Sequence, residues 1–176
     1  MRLKWRIWIS SRVSQPKKRL HWADDSEQAQ TARSMSGIEQ VRAMMAGTVA
    51  SPPIASLIGW QLEIAEIGHA VLRFRARPEL LNLGGTLHGG VMATLLDSAL
   101  GCALITTMPP GRRFSTLELK VNYVRPVSLQ TGDIWVHGTV VQSGKRTGVV
   151  EGRVVDKDGL IYAIASTTCL NFEIGE

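Results

Sequence analysis

The sequence predicts an α+β domain in which one long buried helix is wrapped by a curved antiparallel sheet of five to six strands. Three observations predict it. Residues 87–105 open with the pair Gly89-Gly90 and continue as a nearly all-apolar run of about four helical turns, interrupted by one charge, Asp97. A helix that is apolar all round is buried rather than laid on a surface. On both sides of this run, short segments alternate apolar and polar residues with the period of half-buried strands. Brief Gly-, Asp- and Ser-containing turns join most of these segments, so neighbouring strands run antiparallel.

The elements follow in order. Residues 38–45 form a short helix with Ile38, Val41, Met44 and Met45 along one side, and Ser51-Pro52-Pro53 breaks it. Residues 54–58 add a further turn. Trp60, Leu62 and Ile64 then alternate with Gln61 and Glu63 as a strand. Ile67-Gly68-His69 turns into a return strand, with Leu72, Phe74 and Ala76 on one face and Arg73, Arg75 and Arg77 on the solvated face. Residues 78–85 are a loop into the central helix, which Met108-Pro109-Pro110-Gly111 ends. Residues 116–123 place Leu117, Leu119, Val121 and Tyr123 on one face, and Arg125-Pro126 ends that strand. Strands over 134–142, 149–156 and 160–172 follow, separated by turns at 143–146 and 157–159. The order is β-β-α-β-β-β-β.

At 176 residues, 44% hydrophobic, the chain suits one domain with a real core plus some tail. No run approaches the roughly 18–20 apolar residues of a membrane span. Cys102 and Cys169 sit in apolar surroundings, which reads as buried thiols in a reducing cytoplasm. The net charge of +5 belongs to residues 1–34, which hold eight Lys/Arg against three Asp/Glu; the remainder holds twelve of each. Three of the five tryptophans, Trp5, Trp8 and Trp22, are in this leader too. It lacks the apolar core and cleavage site of a secretory signal. The expectation is a basic leader over 1–34, with Met35 as a fresh start, and a single domain over 35–176. That domain is neutral and has no electrostatic reason to bind nucleic acid.

Asp97 carries the first chemical signal, because a carboxylate on a buried helix needs a partner or a purpose. Gly89 and Gly90 carry the second. At a helix N-terminus their unpaired amides can face a developing oxyanion. Asp97 lies eight residues after Gly89, about 12 Å along a helix axis. One carbonyl therefore cannot touch both groups of one chain, and a shared site needs Asp97 from a second copy in a symmetric dimer. Other chemistries fail: no G-x-S-x-G elbow or phosphate loop is present, and His21, His69, His88 and His137 show no metal-ligand spacing with the cysteines.

The stretches Asn82-Leu83-Gly84-Gly85-Thr86-Leu87-His88-Gly89-Gly90, Leu95-Leu96-Asp97, and residues 116–126 ending in Arg125-Pro126 closely resemble the phenylacetate-pathway (PaaI-type) acyl-CoA thioesterases. The resemblance spans about residues 35–172. It implies the hotdog fold, hydrolysis of acyl-CoA thioesters, no metal, no cofactor beyond the CoA of the substrate, and dimers paired into tetramers. The catalytic carboxylate falls on Asp97 and the carbonyl-polarising amide on Gly89. His88 matches the motif histidine, read first as a holder of the loop and second as an acid/base group. Asn82 matches a position that orients the water or the carbonyl, and Thr116 one that positions water near the carboxylate. Arg125, Lys145 and Arg146 sit at turns, where they can meet the CoA phosphates. The competing reading is a hotdog protein that binds acyl-CoA without cleaving it, as a sensor or carrier. A hotdog hydratase needs a His-Asp pair on the helix that this chain lacks.

Overall fold

The computed structural model describes residues 34–174. The leader expected over 1–34 therefore lies, but for Ser34, outside the described residues. Two short helices come first, α1 (Gly37–Met45) and α2 (Pro53–Ile58). Ser36 is the N-cap of α1, and its backbone N–H and hydroxyl both donate to Glu39 Oε2, at 2.8 and 2.6 Å. Those bonds hold the Glu39 carboxyl below its ordinary range. Pro53 at the first position of α2 suits a helix start, where its missing N–H costs nothing.

Six strands follow: β1 (Gln61–Glu66), β2 (His69–Arg75), β3 (Arg112–Tyr123), β4 (Asp133–Ser143), β5 (Thr147–Asp156) and β6 (Ile161–Glu173). They pair antiparallel throughout in the order β1-β2-β4-β5-β6-β3. The long helix α3 (Gly89–Ile105) lies against the inner face of this sheet. Leu72, Phe74, Leu95, Leu96, Leu100, Leu104, Ile134, Val136 and Val150 are buried between them and form the core.

Close approach of helix to sheet is enforced by glycines on the inner face. A Cβ at Gly138 would overlap the Ala99 carbonyl oxygen and lie 2.7 Å from its carbon. Backbone cannot yield as a flexible side chain can. Gly138→Ala is therefore expected to destabilise by about 3 kcal/mol, seen as a melting temperature lower by about 6–12 °C. A thermal melt matching wild type would show that α3 can shift outward at no cost.

The order of elements along the chain matches the sequence reading, but two bulges change which residues face inward. The β1–β2 register slips between Leu62 and Ile64, so Ala65 turns inward and Ile64 is left 39% exposed. The β3–β6 register slips between Thr116 and Glu118. Phe114 and Thr116 face the helix before the slip, and Leu119 and Val121 after it. Leu117, expected inward, is 60% exposed, whereas Tyr123 keeps the phase of Leu119 and Val121 at the open end of the strand, where it is 55% exposed. β3 also begins four residues earlier than expected. Arg77 is not a solvated strand residue: it leaves β2 and donates to the carbonyls of Leu57 and Ile58, closing the end of α2. The expectation of a helix buried all round holds on one side of α3 only, where eight of its seventeen residues are buried. Val91, Thr94, Asp97, Ser98 and Ile105, however, are only half-buried. Burial pushes the Cys102 thiol up to about 12, which makes it a packing residue rather than a nucleophile.

Candidate active site

The N-terminus of α3 is built by its own loop. Asn82 Oδ1 accepts from the amides of Gly84 (2.8 Å) and Thr86 (3.3 Å), while its Nδ2 donates to Thr86 Oγ1 at 3.0 Å. These bonds fold residues 82–86 into a tight turn behind Leu87, whose own amide donates to the Val127 carbonyl. Asn82 thus spends most of its polar capacity on the loop. His88 is the N-cap of α3, with φ −60° and ψ 133°, and its Nδ1 accepts from the Gly90 amide at 3.0 Å. Its expected loop-holding role has a definite form here, because it satisfies one of the unpaired first-turn donors.

That bond also corrects one expectation. The Gly90 amide is occupied by His88 and is not available to a ligand in this arrangement. Among the described residues, the Gly89 N–H has no acceptor. A single amide is left pointing out of the helix start, where the helix dipole is positive.

Asp97 stands two turns further along α3, on its half-buried stripe. Thr116 Oγ1 donates to Asp97 Oδ1 at 3.0 Å across the gap between α3 and β3. The bulge at Leu117 follows Thr116 directly and lets the strand turn this hydroxyl to the helix. The second carboxylate oxygen has no partner among the described residues. The structure therefore brings Asp97 and Thr116 together, and His88, Gly89 and Gly90 together. It keeps the two groups about 12 Å apart on one straight helix.

The cations divide between two ends of β3. Arg125 donates from Nη1 to the Ile161 carbonyl at 2.6 Å, beside the Gly89 end. Lys145 and Arg146 lie at the Asp97 end, in the turn between β4 and β5. With Arg112, Asn171 and Phe172 they line a cavity of about 420 Å³. Arg112 was not a sequence candidate; its guanidinium donates to the Lys145 carbonyl and fixes that turn. Tyr123 was also missed. Its hydroxyl donates to the Gly89 carbonyl at 2.8 Å. Periodicity gave Tyr123 a face but no partner, and Arg112 lay outside the expected strand; the contacts of both depend on the placing of β3.

A helix swaddled by an antiparallel sheet in this way is the hotdog fold. Residues 84–163 match the family model described as the thioesterase superfamily. A Saccharolobus solfataricus protein named as a candidate esterase is 33% identical over 115 residues, covering 65% of this chain and 75% of its own. Human acyl-coenzyme A thioesterase 13 is 32% identical over 78 residues, 44% of this chain and 54% of that one. Among solved structures, the Escherichia coli PaaI protein from the phenylacetic acid degradation operon superposes with a TM-score of 0.67 at 22% identity, covering 81% of this chain and 96% of its own. The smu.793 protein of Streptococcus mutans, solved with acetyl CoA bound, gives 0.60 at 28% identity over 65% and 89%. The chain belongs to the thioesterase superfamily. Among the described residues no helix is long and apolar enough to cross a membrane.

Proposed function

We propose that this protein hydrolyses acyl-CoA thioesters to free acid and CoA, in sites shared between two copies of the chain. The observation that carries this reading is the free Gly89 amide and the Thr116-supported Asp97 carboxylate on one helix, too far apart to serve one carbonyl within a protomer. The chemistry of the superfamily and a relative named as an acyl-CoA thioesterase support the substrate class. The surface that closes the site is the half-open stripe of α3 together with β3, an edge strand twelve residues long with one unpaired side. A two-fold axis at the level of Ala93 sets Gly89 of each copy opposite Asp97 of the other. Pairing of two such dimers into a tetramer rests on the family resemblance.

In this reading the thioester oxygen sits on the Gly89 N–H, at the positive end of α3. Water held beside Asp97 and Thr116 attacks the carbonyl carbon and passes its proton to the carboxylate. The tetrahedral oxyanion then collapses, the C–S bond breaks, and the CoA sulfur leaves with that proton. Direct attack by Asp97 to give an anhydride uses the same geometry. Asn82 acts by holding the loop that presents Gly89, and His88 by occupying Gly90. Arg125 of one copy and the Arg112, Lys145 and Arg146 cluster of the other flank the site from opposite sides, where CoA phosphates need cations.

Thiol release from a panel of acyl-CoAs, aryl-acetyl to medium-chain, tests the function. Turnover of at least one member is the expected result, and its rank order names the acyl group. Tight binding of acyl-CoA without release would favour the sensor or carrier reading instead.

A further inference from the structure

We infer that Tyr123 is a positioning residue for the Gly89 amide, acting by clamping the peptide unit between Gly89 and Gly90. The inference rests on the thioesterase reading above. That peptide unit is gripped at both ends: its oxygen accepts from the Tyr123 hydroxyl at 2.8 Å, and its N–H donates to His88 Nδ1 at 3.0 Å. Two bonds on one rigid plane fix its rotation. The orientation of the preceding amide, the free one, is set through the single Gly89 Cα that joins the two planes. At most helix starts the first N–H groups are free to tilt toward solvent. Here the tilt is removed before substrate arrives, as preorganised stabilisation of an oxyanion requires.

The ring contributes a second constraint. A Cβ at residue 89 would sit 3.4 Å from Tyr123 Cζ and Oη and 3.7 Å from Cε1. The phenol end of the ring therefore sits in van der Waals contact with the place that a side chain at residue 89 would take. Thr94 Oγ1 donates to the Gly90 carbonyl at 2.9 Å, so the next peptide of the first turn is braced as well. Tyr123 holds this place because the bulge after Thr116 changes the phase of β3. Without the extra residue, Thr116 and Tyr123 would face opposite sides of the strand. One irregularity thus lets a single strand support both the carboxylate and the amide.

The test is Tyr123→Phe, which keeps the ring and removes only the hydroxyl. The expected result is a kcat about 2- to 12-fold lower, the worth of one neutral hydrogen bond, with KM unchanged. In the full chain, the Gly90 amide NMR resonance should move, because its peptide has lost a partner. Added to Gly89→Pro, which deletes the amide itself, Tyr123→Phe should lower kcat no further. An unshifted Gly90 resonance would overturn the clamp. So would an unchanged kcat, or a loss that adds in full to that of Gly89→Pro and so places Tyr123 on the substrate. In each of those cases wild type still turns over and the thioesterase reading stands. A wild type inactive on every acyl-CoA would remove the reading and the inference together.

Discussion

Asp97→Asn is expected to lower kcat for acyl-CoA hydrolysis about 10²–10⁴-fold, the usual worth of a positioned general base, while the protein folds normally. The substitution is close to isosteric. The amide oxygen of Asn can still accept from Thr116 Oγ1, the one hydrogen bond that Asp97 makes among the described residues. No buried charge pair is broken, so the melting temperature should match wild type within a degree or two. What disappears is the capacity to take a proton or attack a carbonyl. A single turnover in ¹⁸O-labelled water then separates the two routes. Label entering Asp97 of the wild type identifies an anhydride opened at the aspartyl carbon; label confined to the product acid means that water attacked the acyl carbon. A variant with near wild-type turnover would end the assignment of Asp97.

Gly89→Pro should cost about 10²–10³ in kcat, the effect of losing one oxyanion donor. Proline is unusually well suited to this position. Residue 89 is the first residue of α3, where proline is favoured and the N–H has no helical partner to lose. The residue before it, His88, already has the extended ψ of 133° that a following proline demands. The added Cβ would lie 3.4 Å from Tyr123 Cζ and Oη, an ordinary contact distance. The substitution therefore deletes one hydrogen from the proposed site and little else. Combined with Asp97→Asn it also tests sharing between copies. Each variant alone is nearly inactive. After subunits of the two are mixed and exchanged, half the dimers hold one intact site and one doubly altered site, so activity should return to about a quarter of wild type. No recovery, with exchange verified by mass spectrometry, would mean that each site lies within one chain.

Much of this was legible without coordinates, and the reasons are physical. A seventeen-residue helix with one charge has few places to go except inside a sheet. Strands with strict alternation joined by short turns pair as antiparallel hairpins, while the pairings of β2 with β4 and of β3 with β6 had no such mark. The separation of Gly89 and Asp97 follows from helical rise alone. The illegible features were those created by pairing. The bulges after Leu62 and Thr116 are register events between two strands, and neither strand carries a local mark of them. They turned Ile64 and Leu117 outward against their hydrophobicity, and they brought Tyr123 to Gly89. Occupation of the Gly90 amide depends on the rotamer of His88, which the motif does not specify. The Arg112 cluster forms only because the start of β3 pairs with the end of β6, beside the turn between β4 and β5.

The sheet order carries a consequence for how the protein is made. β3 joins the sheet through β6 alone. Thr116 reaches Asp97 only when β3 is in place, and β3 is placed by residues 161–173. On a translating ribosome, the β1–β2 hairpin and α3 emerge early and can begin to pack. The hydroxyl that supports the carboxylate is synthesised soon after, yet the β6 residue that pairs with Thr116, Cys169, follows 53 residues later. The nascent chain therefore carries Asp97 unsupported through the synthesis of β4 and β5, and the last strand to form is the one that seats it.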